Sequence, residues 1–486
     1  MGMKKINLQV KNCIPKLVGK IRKENWGGIY WNHEVARIDI LNEVAYDILS
    51  KCDGKNNVTD IVKQINEEYE ADYDLIEKDV NEYLMKTSII GYVKGIDLPE
   101  FESKKIDVSN FGVISDADCE NVLNGKGIIG TSENPLSAPL KVLIEFTKNC
   151  NLRCVHCFAE AECKVTEQGY LEGELTTEQW YKVIDNVYNA GVFDIFVSGG
   201  EALLRSDIFD ILEYINSKGL GFCLLTNATL ITDEVAKKLK ALNCYKVEAN
   251  MDGYDEKTYD MFRGVKGAFS DTVRGIKACI DNDLPIRCNV TMTKLNIGWL
   301  KEIADTAHSL GVREVCCVPL EQGGRADSNW EKLHIEDEAT AQECYKEVDA
   351  YVNEKYGDDL MFIVPLDHHR SNVLNDIHNV AKRWDPNKLM PSCGAGKYHC
   401  SINPSGEVIL CPTADDTIKF EPNGLLEHSL LDIWQNAQTF KDIRNSMDEK
   451  CMGCEKLFCE RGCPLTMYRK YGKVYLEERK DCPTEA

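Results

Sequence analysis

The stretch KVLIEFTKNCNLRCVHCF, residues 141–158, decides how this chain is read. Its opening, KVLIEF, is a short apolar run that predicts a buried strand. Cys150, Cys154 and Cys157 follow as C-x3-C-x2-C on a single loop. Three thiolates so placed can occupy three irons of a cubane and leave the fourth iron without a protein ligand. A fully ligated cluster only passes electrons, whereas an open iron can bind a small ligand and deliver an electron into it. Zinc is the alternative, with His156 inside the loop as a fourth ligand. The spacing is unusual for zinc, however, and the loop opens an α/β array rather than a finger.

Outward from this stretch the pattern alternates. The apolar runs KVLIEF, FDIFVS, GFCLLT, YKVEAN, PIRCNVTM and REVCCV are separated by amphipathic segments beginning near Thr177, Ser206, Asp233, Phe269 and Ile297. Strict alternation implies parallel strands joined by right-handed crossovers, and six units fit an open or closed α/β barrel. A helix over 336–356 follows, and beyond Pro391 the text turns cysteine-, glycine- and proline-rich. Ahead of the barrel, GGIYW and ARIDIL predict a strand pair turned at Asn32 to Glu34. Three short helices starting near Asn42, Val58 and Tyr73 follow, and IIGYV closes the domain. The polar text from Pro99 to Ala138 is expected to be a linker. The divisions are therefore 1–98, 99–138, 139–335, 336–390 and 391–486.

The chain has 486 residues, with 57 Lys and Arg against 79 Asp and Glu, a formal charge of −22. That balance repels a phosphate backbone or an anionic membrane, so neither nucleic acid nor membrane is an expected partner. The basic stretch 4–23 is expected to be a solvated strand-and-turn segment. No run of about 18 apolar residues occurs, and MGMKKINLQVKNC lacks the features of a secretory signal, so a cytoplasmic location is expected. In that setting the 22 cysteines point to metal rather than disulfides. Eight of them fall between Cys393 and Cys482 as C-x12-G-x4-C, then C-x2-C-x4-C-x3-C, then Cys482. Seven or eight cysteines exceed one tetrahedral zinc, although two zincs remain an alternative. The other eleven, mostly in apolar runs, receive no role.

These residues resemble the radical S-adenosylmethionine (SAM) superfamily, whose cluster loop is C-x3-C-x2-C after the first barrel strand. The resemblance extends to Gly199, Gly200 and Glu201 in FVSGGEALL, where the family holds the SAM amino group; Ala202 replaces the usual proline. It implies SAM contacts at Thr226 and Asn227, at Asn250 and Asp252, and at Arg263, positions where turn chemistry is an equally good reading of each residue alone. No glycine-containing adenine motif is found near the fifth and sixth strands. The later cysteines resemble the SPASM extension, with one residue fewer between its fourth and fifth cysteines. That implies an outer auxiliary 4Fe-4S cluster on Cys451, Cys454, Cys459 and Cys482, and an inner one on Cys393, Cys411 and Cys463. Cys400 is left open as a fourth inner ligand.

The N-terminal strand pair and helices resemble the winged-helix-like recognition element of peptide-modifying enzymes. There a precursor's leader adds a strand to the sheet edge and lies against the third helix. The resemblance implies SAM, three 4Fe-4S clusters, a reducing donor such as flavodoxin or ferredoxin, and a ribosomally made precursor peptide as substrate. The implied reaction is hydrogen abstraction by a 5′-deoxyadenosyl radical, followed by a cysteine thioether crosslink. A carbon–carbon crosslink or oxidation is the alternative outcome. A zinc-stabilised peptide-binding scaffold without catalysis is the alternative of another class, and a structural or dimerisation role the alternative for the first domain.

Overall fold

The computed structural model describes residues 12–32, 37–69, 71–87, 90–94, 132, 134–363, 393–414, 417–419, 421–445 and 463–474. The chain divides into two compact units, the first 1–137 with 374–389 and the second 138–373 with 390–486. No helix among the described residues is long and apolar enough to cross a membrane.

In the first unit, β1 (Ile14–Leu17) pairs antiparallel with β5 (Ile90–Lys94). The strands β2 (Lys20–Glu24), β3 (Gly27–Asn32) and β4 (Arg37–Leu41) form an antiparallel sheet with β4 at an edge. Helix α1 (Glu43–Ser50) is capped by the Asn42 side chain, and α3 (Tyr73–Lys86) by Asp72. Between them α2 (Val58–Tyr69) buries Val58, Ile61, Val62 and Ile65, the i, i+3, i+4, i+7 stripe of an amphipathic helix. Of the basic stretch 4–23, expected to be strand and turn, residues 14–17 and 20–23 lie in the paired strands β1 and β2 with mostly half-exposed side chains, residues 4–11 lie outside the described residues, and Cys13 is fully buried. The linker expected at 99–138 lies mostly outside the described residues.

The second unit is built on one nine-stranded sheet. Six parallel strands fall where the apolar runs predict them: β6 (Lys141–Glu145), β7 (Asp194–Ser198), β8 (Phe222–Thr226), β9 (Cys244–Asn250), β10 (Ile286–Met292) and β11 (Glu314–Pro319). They are consecutive neighbours, so each crossover returns one place along the sheet. Helix α4 (Thr177–Asn189), α5 (Ile208–Ser217), α6 (Asp233–Ala241), α8 (Ala268–Asp281) and α9 (Leu300–Ser309) cover one face. Their apolar stripes, such as Trp180, Val183, Ile184 and Val187 on α4, interlock with Ile195, Val197, Leu224, Val247 and Val290 from the strands. A helix that periodicity did not single out, α7 (Glu256–Arg263), stands between β9 and α8. After β11 come two short helices, α10 (Gly324–Ser328) and α11 (Trp330–Leu333), and then α12 (Glu338–Tyr356), close to the expected 336–356.

Strand additions at both edges were not expected. β12 (Met361–Ile363) extends the sheet beyond β11. At the other edge β13 (His399–Ile402) runs parallel to β6 and pairs antiparallel with β14 (Val408–Ile409). The C-terminal segment is thus continuous with the barrel sheet. It is packed by α13 (Leu430–Asn436), α14 (Gln438–Asn445) and α15 (Pro464–Tyr471).

Candidate active site

In a parallel α/β sheet, side chains on the loops after the strands converge at one edge. The C-x3-C-x2-C loop follows β6 and is pinned there from several directions. Asn149 clamps its start, accepting from the Lys164 amide at 2.9 Å and donating to the carbonyls of Lys164 (2.9 Å) and Gly169 (3.1 Å). The amides of Arg153 and Val155 donate to the carbonyls of Arg263 and Phe262 at the end of α7, both at 2.9 Å. From the segment after β11, Arg325 donates through Nε to the Cys154 carbonyl and through Nη1 to the Ala161 carbonyl, each at 2.9 Å. The Arg325 amide reaches the Cys157 carbonyl at 2.9 Å, and Asn329 reaches the Val155 carbonyl at 3.1 Å. The loop's carbonyls are therefore spent on protein donors while its three cysteines form no disulfide.

Gly199 and Gly200 follow β7 and lie flat against this loop. A Cβ on Gly200 would stand 2.4 Å from the Asn149 carbonyl oxygen, and one on Gly199, whose φ is 139°, 2.5 Å from that of Thr147. Only glycine allows the two backbones to approach so closely. Glu201, 1 % exposed, is consequently set beneath the thiols. It accepts from the Thr226 hydroxyl at 2.9 and 3.0 Å, the Asn227 amide at 2.9 Å and the Leu203 amide at 3.2 Å. Burial raises the Glu201 pKa, and those donors oppose the rise by stabilising the carboxylate. Asn227 carries the chain of contacts onward, donating to Asn151 Oδ1 at 2.9 Å and facing Cys150 Sγ at 3.9 Å.

A second knot closes the other side. Asp252, fully buried, pairs with Arg263 and accepts from the Thr291 amide at 2.6 Å, while His156 Nε2 lies 3.6 Å away. Arg263 Nη1 in turn faces Cys154 Sγ at 3.4 Å. Burial pushes the Cys150 thiol up to about 12 and raises that of Cys154, where the Arg263 cation acts in the opposite direction. Burial likewise holds His156 down to about 4. Thiols held neutral in this way become ligands when a metal's charge replaces the lost hydration. Two buried nitrogens, Arg263 Nε and His156 Nδ1, have no hydrogen-bond partner among the described residues.

Among the described residues no three Cys, His, Asp or Glu side chains gather tightly enough to hold one metal ion. A tetrahedral zinc would draw its sulfurs to within about 3.8 Å of one another. A cubane spreads its thiolates over separate irons, and three thiol donors on one loop, Cys150, Cys154 and Cys157, fit that arrangement.

Elsewhere in the same unit, Cys393, Cys411 and Cys463 form a second set of thiols within electrostatic reach of one another. Burial pushes Cys393 up to about 12 and Cys411 higher. Glu321, just past β11, is felt by both. Its carboxyl retains accessible surface, yet surrounding protein raises its pKa against the pull of Arg469, the combination expected of a group lining a cleft. Cys400 is elsewhere. It sits on β13, fully buried, with Arg444 as the charged group beside it and its thiol pushed up to about 12. Arg444 donates to the carbonyls of Gly396 (3.1 Å) and Trp434 (2.8 Å) and lies 4.4 Å over the Trp434 ring.

Residues 144–318 match the Radical SAM superfamily profile. The chain carries a radical SAM domain. Residues 393–455 match SPASM, an iron-sulfur cluster-binding domain, and residues 36–88 match Coenzyme PQQ synthesis protein D (PqqD). Similar proteins include an AdoMet-dependent heme synthase of Methanosarcina barkeri, 29 % identical over 71 % of this chain and 97 % of that protein. The mycofactocin maturase MftC of Mycobacterium ulcerans is 29 % identical over 69 % and 86 %. The PqqA peptide cyclase of Bradyrhizobium diazoefficiens is 28 % identical over 65 % and 79 %. SuiB of Streptococcus suis, solved bound to its precursor peptide SuiA, superposes with a TM-score of 0.67 over 96 % of this chain and 99 % of that one. At 17 % identity that likeness speaks for the fold alone.

Around the radical SAM loop the structure brings together Gly199, Gly200, Glu201, Thr226, Asn227, Asp252 and Arg263, and it pairs many of them with each other. Asn250, at the end of β9, is the expected SAM contact standing apart from both knots; its backbone carbonyl accepts from Tyr259 at 3.2 Å. Cys451, Cys454, Cys459 and Cys482 lie outside the described residues. Sequence reasoning missed Arg325, Asn329 and Glu321. The signal available for the first two was Gly323-Gly324 at a strand end, which now proves to lie against Phe158: a Cβ on Gly324 would meet the Phe158 carbonyl oxygen at 2.6 Å.

Proposed function

We propose that this chain is a radical SAM enzyme that modifies a ribosomally made precursor peptide, with the first domain holding the peptide's leader. The observation that carries the reading is the three-thiol loop backed by the Glu201 knot at the strand-end edge, with a second three-thiol set in the same unit. A cluster and SAM bound there supply reductive cleavage of SAM and hydrogen abstraction from an unactivated carbon. Everything else is positioning. Glu201 is the carboxylate for the SAM ammonium, exchanging its Thr226 hydroxyl contacts for the stronger charged one. Arg263 and Asp252 brace Cys154 from behind, and the flat glycine pair lets ligand and backbone approach.

The PqqD match at residues 36–88 and the peptide-acting names among the relatives favour a peptide over the porphyrin chemistry implied by the heme synthase. In the first domain β4 ends its sheet with one edge unpaired among the described residues, as strand addition by a leader requires. The inner cluster is assigned to Cys393, Cys411 and Cys463, a reading supported by their mutual electrostatic reach, whereas the charged group acting on Cys400 is Arg444. A vacant inner corner suits a peptide cysteine thiolate, and this favours thioether formation over a carbon–carbon crosslink. The test is incubation of the reconstituted, reduced enzyme and SAM with the peptide encoded beside its gene, followed by fragmentation mass spectrometry. A loss of two hydrogens with disappearance of an alkylatable thiol is the expected result. The same mass loss with the thiol retained moves the reading to the carbon–carbon alternative. Unmodified peptide together with turnover of a porphyrin substrate overturns it.

A further inference from the structure

The segment that leaves β11 is tied to both thiol sets. Over residues 323–329 it is fastened to the radical SAM loop: Arg325 and Asn329 hold the carbonyls of Cys154, Cys157 and Val155, and Gly323 and Gly324 lie against Phe158. One residue earlier it is fastened to the second set. Arg469 of α15, the helix that begins directly after Cys463, donates through Nη2 to the Gln322 carbonyl at 3.2 Å and through Nη1 to Gln322 Oε1 at 3.5 Å. Residues 321–329 are thus a continuous wall from one set to the other. A peptide carbon that meets a radical made at the first set and then a sulfur held at the second lies along it.

Glu321 stands on this wall at the end nearer the second set, exposed, with its charge felt by Cys393 and Cys411. Among the described residues it makes no hydrogen bond or ion pair. Arg469 is the one described cation whose charge reaches it, and that guanidinium is engaged by Gln322. Water satisfies such a carboxylate while the wall is bare. A peptide laid over it displaces that water and leaves a stranded charge, unless the peptide brings a charge of opposite sign. Phe158, 36 % exposed, adds an aromatic side chain against the glycine pair. A long cationic side chain offers an apolar stem to an aromatic neighbour and a charged head to a carboxylate.

Resting on the precursor-peptide reading above, we propose that Glu321 is a specificity-determining residue that pairs with a lysine or arginine in the core of the peptide, close to the residue that is modified. The pairing is non-covalent and consumes no electron or proton. It selects among peptides after the leader has brought them to the enzyme.

The test uses the reconstituted, reduced holoenzyme with SAM and the precursor peptide encoded beside its gene, each Lys or Arg of the core being replaced singly by Met. Parent and Glu321→Gln are compared on every peptide by mass-spectrometric rates, and iron content and the EPR spectrum of the reduced clusters are recorded for both. Glu321→Gln is expected to raise KM for the unaltered peptide at least about tenfold, with kcat changed far less. One core cation should stand out: its replacement costs the parent a similar factor in KM but costs Glu321→Gln less than about twofold, the non-additivity of a direct pair. Glu321→Arg acting on a peptide with that cation changed to Glu should regain part of the lost KM. A KM at the parent's level in Glu321→Gln overturns the proposal, the outcome expected if the peptide covers the carboxyl in its protonated form. Additive losses at every core cation overturn it, as does efficient modification of a core containing neither Lys nor Arg. Lost iron or an altered EPR spectrum in Glu321→Gln overturns it too, because the carboxylate then serves the inner cluster and not the peptide. All of these leave the precursor-peptide reading standing, whereas a parent enzyme that leaves the peptide unmodified brings down that reading and this proposal together.

Discussion

At the scale of single residues, the site is organised by pairs that neutralise one another before any ligand arrives. Asp252 and Arg263 are buried together, at 0 % and 3 % exposure, so removing one partner strands the other's charge. Asp252→Ala is expected to destabilise the barrel by about 3–5 kcal/mol, whereas Asp252→Ala/Arg263→Met should recover much of that loss because no orphan charge remains. Urea unfolding followed by tryptophan fluorescence measures both, and a double variant as unstable as the single one would disprove the pairing argument. Glu201→Gln probes a different function. It keeps the shape but removes the charge offered to an ammonium, and is expected to weaken SAM binding by about 2 kcal/mol, roughly thirtyfold, with iron content unchanged. Equilibrium dialysis with the reconstituted enzyme reads the affinity, and loss of iron together with SAM would make Glu201 a structural residue. Motif spacing pointed to each of these positions, but not to their partners. Arg263, expected near SAM, pairs with Asp252 and faces Cys154, the latter a contact made across 109 residues of chain for which no local pattern codes.

Among the elements, the six barrel strands and their covering helices were legible because burial on a sheet or a helix stripe imposes a period on the sequence. What escaped were short pieces. β12, β13 and β14 have three, four and two residues, too few to display alternation, and α7 has eight residues with a largely charged exposed face. Their value is positional: the segment after β11 supplies Arg325, which ties the cluster loop through the carbonyls of Cys154 and Ala161. Arg325→Ala removes two charged hydrogen bonds, each worth about 1.5–3 kcal/mol, from a loop that must hold three thiols in register. The expected outcome is faster loss of iron to a chelator, with Arg325→Lys retaining part of the protection. Equal iron loss from parent and alanine variant would mean that the loop keeps its shape without the clamp. Helix α8 offers a second check of close packing. A Cβ on Gly275 would stand 2.1 Å from the backbone oxygen of Ala228, at the end of the strand that positions Asn227. Gly275→Ala should cost about 1–3 kcal/mol through overpacking, measured as an earlier unfolding transition, and an unchanged transition would show that α8 can slide.

For the whole molecule, the question is how many irons the chain holds and on which cysteines. The resemblance to the SPASM extension implied three cubanes, hence about twelve irons, but could not decide membership, because a strand can carry a cysteine into the core as easily as a loop carries one to a cluster. Cys400 illustrates the difference. It lies seven positions after Cys393 but is carried by β13, which pairs with β6, and Arg444 is the charged group acting on its thiol, whereas Cys393 and Cys463 are within electrostatic reach of Cys411. Cys400→Ser should therefore leave the iron content at the parent's level, because a buried thiol beside a guanidinium is exchanged for a hydroxyl of similar size. Cys411→Ser should lower it by up to about four irons, because it breaks a three-thiolate set that has no spare ligand. Iron and sulfide analysis of the two variants, each reconstituted alongside the parent, separates the cases. If Cys400→Ser loses as much iron as Cys411→Ser, the inner cluster has four protein thiolates and no corner for a substrate sulfur. The peptide chemistry would then have to be a carbon–carbon crosslink or an oxidation, with the auxiliary clusters serving only to carry electrons away.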